Sequence, residues 1–294
     1  MKQAQLLYDW CFRYEGSSRS STIIRIGLPI LIWYRFGHGP VHGLPSYGVG
    51  WAILFYLSLF GMFFGIFSQL STFVAGTVTL AAYYYLNVLH HHGEWAHHHT
   101  YLLALATWLL AFAPCGKSYS VDRWLAVRRA AKAGRPPPAE EGNLFALRLI
   151  ALQMVLLYFF AFWDKMFVAG KNAIFYNFLN GSRLEQIFMT HYWGSGFHIA
   201  PWMTAIGSAM AITVAIVELL LPLLLVERLQ KWLVIPGIGL HIAFYVLLPL
   251  ETYSLTCILL YFAIFNANKV HAFIDALGPQ GASGAQPEAQ LAVA

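Results

Sequence analysis

Between residues 203 and 226 this chain carries a single charged side chain, Glu218, and between residues 50 and 89 it carries none. A helix needs about 20 mostly apolar residues to cross the hydrocarbon core of a bilayer. These runs reach that length without interruption. Burial in a soluble core does not account for them: 59% of the 294 residues are hydrophobic and only 11% are charged, against about 25% charged in soluble domains. The excess apolar surface has to face lipid. Transmembrane β-strands alternate over segments of about ten residues, whereas these runs are continuous. The expected class is therefore all-α, a polytopic integral membrane helical bundle with the lipid bilayer as its first partner.

About eight transmembrane helices are expected, over residues 22–36, 50–67, 72–89, 101–115, 145–168, 203–226, 232–248 and 253–265. Residues 1–21 are expected to form an amphipathic interfacial segment, with Leu6, Leu7, Trp10 and Phe12 among polar neighbours. Residues 22–275 form the transmembrane domain. Residues 276–294, rich in Gly, Ala, Gln and Pro, are expected to be disordered. Lys2, Arg13 and Arg19, the basic stretch from Lys117 to Arg135, Arg228 with Lys231, and Lys269 then fall on one side of the membrane. By the positive-inside bias that side is cytoplasmic, with both termini on it. The net charge of +5 is explained by this placement and implies no nucleic acid. Pro136, Pro137 and Pro138 mark the loop after the fourth span as the one hydrophilic linker. An outer segment at 170–201 contains residues 172–180 and 184–189, expected as short helices lying on the membrane or covering a site. Cys11, Cys115 and Cys257 suggest no disulfide framework.

Ionisable groups inside apolar runs are costly and mark function by default. Lys165 follows Tyr158, Phe159, Phe160, Phe162 and Trp163; an amine desolvated by such neighbours becomes a usable base near neutral pH. A lysine snorkelling to the outer surface, or paired with Asp164, fits the same residues. Glu218 and His241 lie within apolar runs, either as functional groups or as buried polar residues that hold helices together. Arg25 reads as structural or as snorkelling to the inner surface.

Six of the twelve histidines crowd into residues 90–99. With His38 and His42 they superficially suggest the histidine boxes of membrane metal oxidases, whose ligands must converge with defined geometry. Against this, His191, His198, His241 and His271 are isolated, and the run falls in an outer loop. A mostly solvated loop with one or two functional members is the alternative, and no metal is favoured.

His98-His99-Thr100-Tyr101-Leu102 resembles the Asn-His-x-Tyr-Leu motif of the vitamin K-dependent γ-glutamyl carboxylases and their bacterial relatives, the HTTM (horizontally transferred transmembrane) domain. Tyr119-Ser120-Val121-Asp122, the aromatic run ending in Asp164-Lys165, Glu218 with the leucines after it, Gly239-Leu240-His241, Tyr253-Ser254-Leu255 and Arg25-Ile26-Gly27 are similar to further motifs of that family, in order over roughly residues 20–270. The resemblance implies a membrane enzyme of carboxylase (lyase) type in the bacterial inner membrane, with its site facing outside. Lys165 falls on the family's catalytic base, and His99 and His241 fall on assisting histidines. Tyr101, Trp163 and Glu218 are the expected cofactor-binding residues. The implied cofactor is a reduced vitamin K (menaquinol-type) hydroquinone with O2 and CO2 as co-substrates, acting on a quinol or small peptide. His98, Asp164 and Pro29 depart from the family pattern. No counterpart of the eukaryotic lumenal domain follows the last span, which points away from carboxylation of large protein substrates. A non-enzymatic member of the same fold, serving peptide maturation, immunity or transport, is the second expectation, and a histidine-box metal oxidase the third.

Overall fold

The computed structural model describes residues 14–37, 48–84, 98–168, 200–248 and 250–277, with residues 5, 8, 9 and 12 ahead of them. This part of the chain is mostly helical. Strand β1 (Glu15–Ser17) leads into α1 (Arg19–Phe36), followed by α2 (Val49–Phe64), α3 (Ser68–Ala82) and α4 (His98–Leu110). The hydrophilic stretch forms α5 (Val121–Lys132) and β2 (Glu141–Asn143). Then come α6 (Phe145–Trp163), α7 (Pro201–Leu220), α8 (Glu227–Leu247), α9 (Glu251–Ile264) and α10 (Ala267–Leu277).

Three stretches are long and apolar enough to cross a membrane: Phe145–Met166, Thr204–Leu225 and Glu227–Leu247, of 22, 22 and 21 residues. Helices α9 and α10 make a fourth only if they count as one span, and they meet at a bend of 106°. The expectation of eight spans is corrected to this smaller number among the described residues. Length is the reason. At about 1.5 Å per residue, α2 with 16 residues and α4 with 13 fall short of a hydrocarbon core of about 30 Å. Residues 85–89 of the expected third span, the histidine loop at 90–97, most of the outer segment and the tail from 278 lie outside the described residues.

Helix α9 lies at the centre, packed on α1, α6 and α8. It buries Cys257, Leu260 and Tyr261 on one side and Thr252, Ser254 and Thr256 on others, so little of it faces outward. Helices α3 and α4 approach closely at Gly76, where a Cβ would come within 2.6 Å of the Trp108 amide nitrogen; small residues permit such contact between membrane helices. Large apolar side chains also face outward on the apolar helices. Leu57, Ile235 and Trp232 are each more than 60% exposed, an arrangement suited to lipid rather than water.

Two expectations about the polar segments also change. Residues 15–17 are a strand rather than part of an interfacial helix, paired antiparallel with β2 in the register Glu15 to Asn143 and Ser17 to Glu141. The loop after α4 is a built structure rather than a linker. Ser120 caps α5 by accepting from the Arg123 amide at 2.9 Å. Asp122 reaches across to cap α3, its carboxylate accepting from the amides of Phe67 (3.0 Å) and Ser68 (2.6 Å) and from the Ser68 hydroxyl. Arg25, with no solvent exposure, donates to the carbonyls of Cys115, Met62, Phe63 and Tyr119. Gly65 passes beside both motifs with φ of +68°, a conformation in which a Cβ would crowd Ser120 and the Arg25 guanidinium.

Candidate functional site

The aromatic run Tyr158–Trp163 closes α6, and the chain then widens into a π-helical turn, Asp164–Val168. Such turns recur at functional sites because they re-aim side chains that a regular helix would stack elsewhere. Lys165 is the second residue of this turn. Its Nζ donates to Glu218 Oε1 at 2.7 Å and Oε2 at 2.6 Å, and to the Ala161 carbonyl at 3.3 Å. The lysine side chain is 23% exposed and the glutamate 5%. Glu218 stands near the end of α7, in an otherwise apolar stretch, so the pair joins α6 to α7. The sequence allowed Lys165 to pair with Asp164; among the described contacts its carboxylate partner is Glu218.

A cavity of about 780 Å³ opens on Lys165. Tyr83, Tyr101, Trp163 and Tyr253 form its aromatic wall, and Leu156 and Leu157 its aliphatic one. Tyr83 and Tyr101 pack with ring centroids 5.7 Å apart, tying α3 to the first turn of α4. Tyr101, Trp163 and Lys165 were all read from the sequence as site residues, and they share this cavity. Gln153 also lines it, and its buried Oε1 has no hydrogen-bond partner among the described residues.

His241 lies one layer behind. It is completely buried in α8, its Nε2 2.6 Å from the Tyr158 hydroxyl. That hydroxyl in turn donates to Tyr261 at 3.1 Å. The ring of Tyr253 lies edge-on to the imidazole, with centroids 5.7 Å apart, and separates it from the cavity. The Cys257 thiol meets the hydroxyls of Tyr158 and Tyr253. His241 Nδ1 has no partner among the described residues. The imidazole is thus linked to the cavity through Tyr253 rather than facing into it. His99 stands in the first turn of α4, two residues before Tyr101, but its side chain lies outside the described residues.

Tyr158, Tyr261, Cys257 and Gln153 were not singled out by sequence reasoning. Gln153 could have been, as the one side-chain amide in α6, since an amide in lipid needs a partner. Tyr158 read only as one of five aromatics. Among the described residues no three His, Cys, Asp or Glu side chains are grouped to hold a metal; the histidine-box reading rests on side chains outside that set.

A second polar cluster, at the far end of the molecule, has the composition of a nucleophilic triad. Ser17 Oγ lies 2.7 Å from His271 Nδ1, and His271 Nε2 lies 3.1 Å from Asp275. Ser17 is 2% exposed and its Oγ already accepts from the Arg19 amide. A nucleophile has to reach a substrate. This cluster instead fastens α10 to β1.

No protein-family model, curated protein or solved structure matches the chain.

Proposed function

We propose that the chain is a membrane-embedded enzyme of the HTTM kind, related to the transmembrane half of the γ-glutamyl carboxylases. In this reading it resides in a bacterial inner membrane with both termini cytoplasmic. The cavity beside Lys165 opens toward the outer face and takes a reduced quinone of the vitamin K class. The observation that carries the reading is the Lys165–Glu218 pair, an ionisable couple inside apolar helices whose lysine lines an aromatic cavity.

The residues suit such a group. The volume lies within the range of about 300–1,000 Å³ of small-molecule sites, and the unpartnered Gln153 oxygen offers an acceptor to a hydroxyl. Tyr83, Tyr101, Trp163 and Tyr253 would pack against a flat ring. When bound, a hydroquinone supplies reducing equivalents and an acidic O–H. Lys165, which lines the cavity, would pass a proton to Glu218 at 2.6 Å and, as the neutral amine, would accept the proton of that O–H. Glu218, which is not part of the lining, would act through Lys165. His241, behind Tyr253, holds that ring and the Tyr158 hydroxyl in place. Acceptance of O2 and CO2 and action on a small peptide follow from the family resemblance alone.

The same bidentate geometry also supports a second reading: a clasp between α6 and α7 in a non-enzymatic protein of this fold. Purified protein in lipid nanodiscs, supplied with reduced menaquinone, O2 and a glutamate-containing peptide, separates the two. Lys165→Ala and Glu218→Gln should lower quinol-dependent oxygen uptake or peptide modification by about 100-fold or more. Glu218→Gln, which can still hydrogen-bond Lys165, should lose less stability than Lys165→Ala. Full activity in Lys165→Ala would overturn the enzymatic reading. No turnover by the wild type, with loss of folding in both variants, would favour the clasp.

A further inference from the structure

The break between α7 and α8 carries a second cavity, of about 840 Å³, at the other end of α9 from the proposed quinone site. Arg228, Lys231 and Lys269 line it, with Glu227 as its one carboxylate. Lys231 and Lys269 are brought together from helices far apart in sequence because α8 begins where α9 turns into α10. Gln230 holds that junction, its amide donating to the carbonyls of Leu224 (3.0 Å) and Ile264 (3.1 Å). Glu227 is engaged by Lys269 at 2.8 Å. Arg228 and Lys231 form no ion pair among the described residues. A smaller cavity of about 170 Å³ shares Glu227, Gln230 and Phe265 with the first and leads toward Arg148.

We infer that this junction binds the phosphate headgroup of an anionic phospholipid. Three cations facing one neutralised carboxylate leave a net positive site for a phosphodiester. Its flank is the belt that lipid chains need. Trp232 is 64% exposed, with Lys231 5.2 Å from its ring, and Ile235 one turn further along α8 is 68% exposed. A free phosphate ion would use the cations and not this apolar flank, whereas a lipid uses both. Basic pockets at the ends of membrane helices recognise headgroups in this way. The inference is independent of the Lys165 reading.

The test uses the full chain in nanodiscs of phosphatidylcholine with and without phosphatidylglycerol, followed by detergent exchange and native mass spectrometry of retained lipid. Wild-type protein should retain phosphatidylglycerol over phosphatidylcholine. Arg228→Gln/Lys231→Gln should lower that retention by about tenfold or more. Arg129→Gln/Lys132→Gln, on the exposed face of α5, should leave it unchanged. Each single variant, Arg228→Gln and Lys231→Gln, is measured as well, so that a double variant lost to misfolding still leaves a result. Equal retention by wild type and the 228/231 variants overturns the inference. So does displacement of the lipid by millimolar inorganic phosphate, which would make the site one for free phosphate.

Discussion

Arg25 and Lys165 are both cations set among apolar helices, and they are treated in opposite ways. Arg25 spends its guanidinium on four backbone carbonyls drawn from two segments, and it has no solvent exposure. Lys165 has a carboxylate partner, but its site faces a large cavity, and two polar atoms nearby, Gln153 Oε1 and His241 Nδ1, have no partner among the described residues. A charge saturated by enclosing backbone carbonyls fixes a fold. One that lines a cavity leaves room for a ligand beside it.

The sharpest way to break this contrast is at Arg25. Arg25→Met would take a donor from four carbonyls, of which that of Cys115 keeps the Thr22 hydroxyl at 3.2 Å; at about 1–3 kcal/mol for each of the others, the loss is comparable to the whole stability of a typical domain, about 5–15 kcal/mol. No folded protein should survive size-exclusion chromatography in detergent. Arg25→Lys should rescue only partly, because an ammonium on a flexible stem cannot span carbonyls set out for a planar fork. A well-folded Arg25→Met would remove the structural role assigned here.

Next in size is the clasp. Lys165→Met strands Glu218 in an apolar helix and should cost about 3–5 kcal/mol, whereas Lys165→Met/Glu218→Met should recover most of it. Thermal unfolding of the two singles and the double gives the coupling energy directly. Additive singles would mean that the two groups do not depend on each other, and the site would lose its central pair.

These two cations also show what a sequence yields. Both stand out as charges in apolar runs, which is why Lys165, Glu218 and His241 could be named from residue type alone. Their partners could not. Glu218 is 53 residues from Lys165 and Tyr158 is 83 residues from His241, and nothing local encodes which helix faces which. Helical class was legible because composition and run length depend only on the solvent. The number of spans was not, because an apolar run marks a helix without making it long enough to cross: residues 253–265 read as a span, and α9 matches them almost to the end, yet it stops at Ile264 after 14 residues and the chain bends. The β1–β2 pair was invisible, since Glu15–Ser17 is three residues with no alternation to detect. Helix α5 could have been found, with Ser120 at its N-cap and Asp122 in its first turn.

Asp122 tests how far the saturated end extends beyond Arg25. Asp122→Ala removes the carboxylate that caps α3 from another segment and should cost about 1–2 kcal/mol. Hydrogen exchange should quicken at the amides of Phe67 and Ser68 while amides around Lys165 stay protected. Quickening at both ends would show that the two regions unfold as one.

The smallest effect lies at the edge of the saturated end, where α10 returns to α1. Arg19 binds Asp275 there, and His271 Nε2 approaches the same carboxylate at 3.1 Å. The Arg19 hydrogen bond holds the Asp275 carboxyl below its ordinary value of 3.8. A carboxylate depressed on folding contributes stability that is fully present above the unfolded value and is lost as the pH falls through the folded one. Asp275 is exposed, so the contribution is small and screened by salt. The difference in unfolding midpoint between wild type and Asp275→Asn should be constant from neutral pH to about 5, then shrink toward zero below 3.8. It should also shrink at neutral pH in molar salt. A difference that persisted unchanged at pH 2 would mean that packing of α10, and not its charge, fastens it to α1.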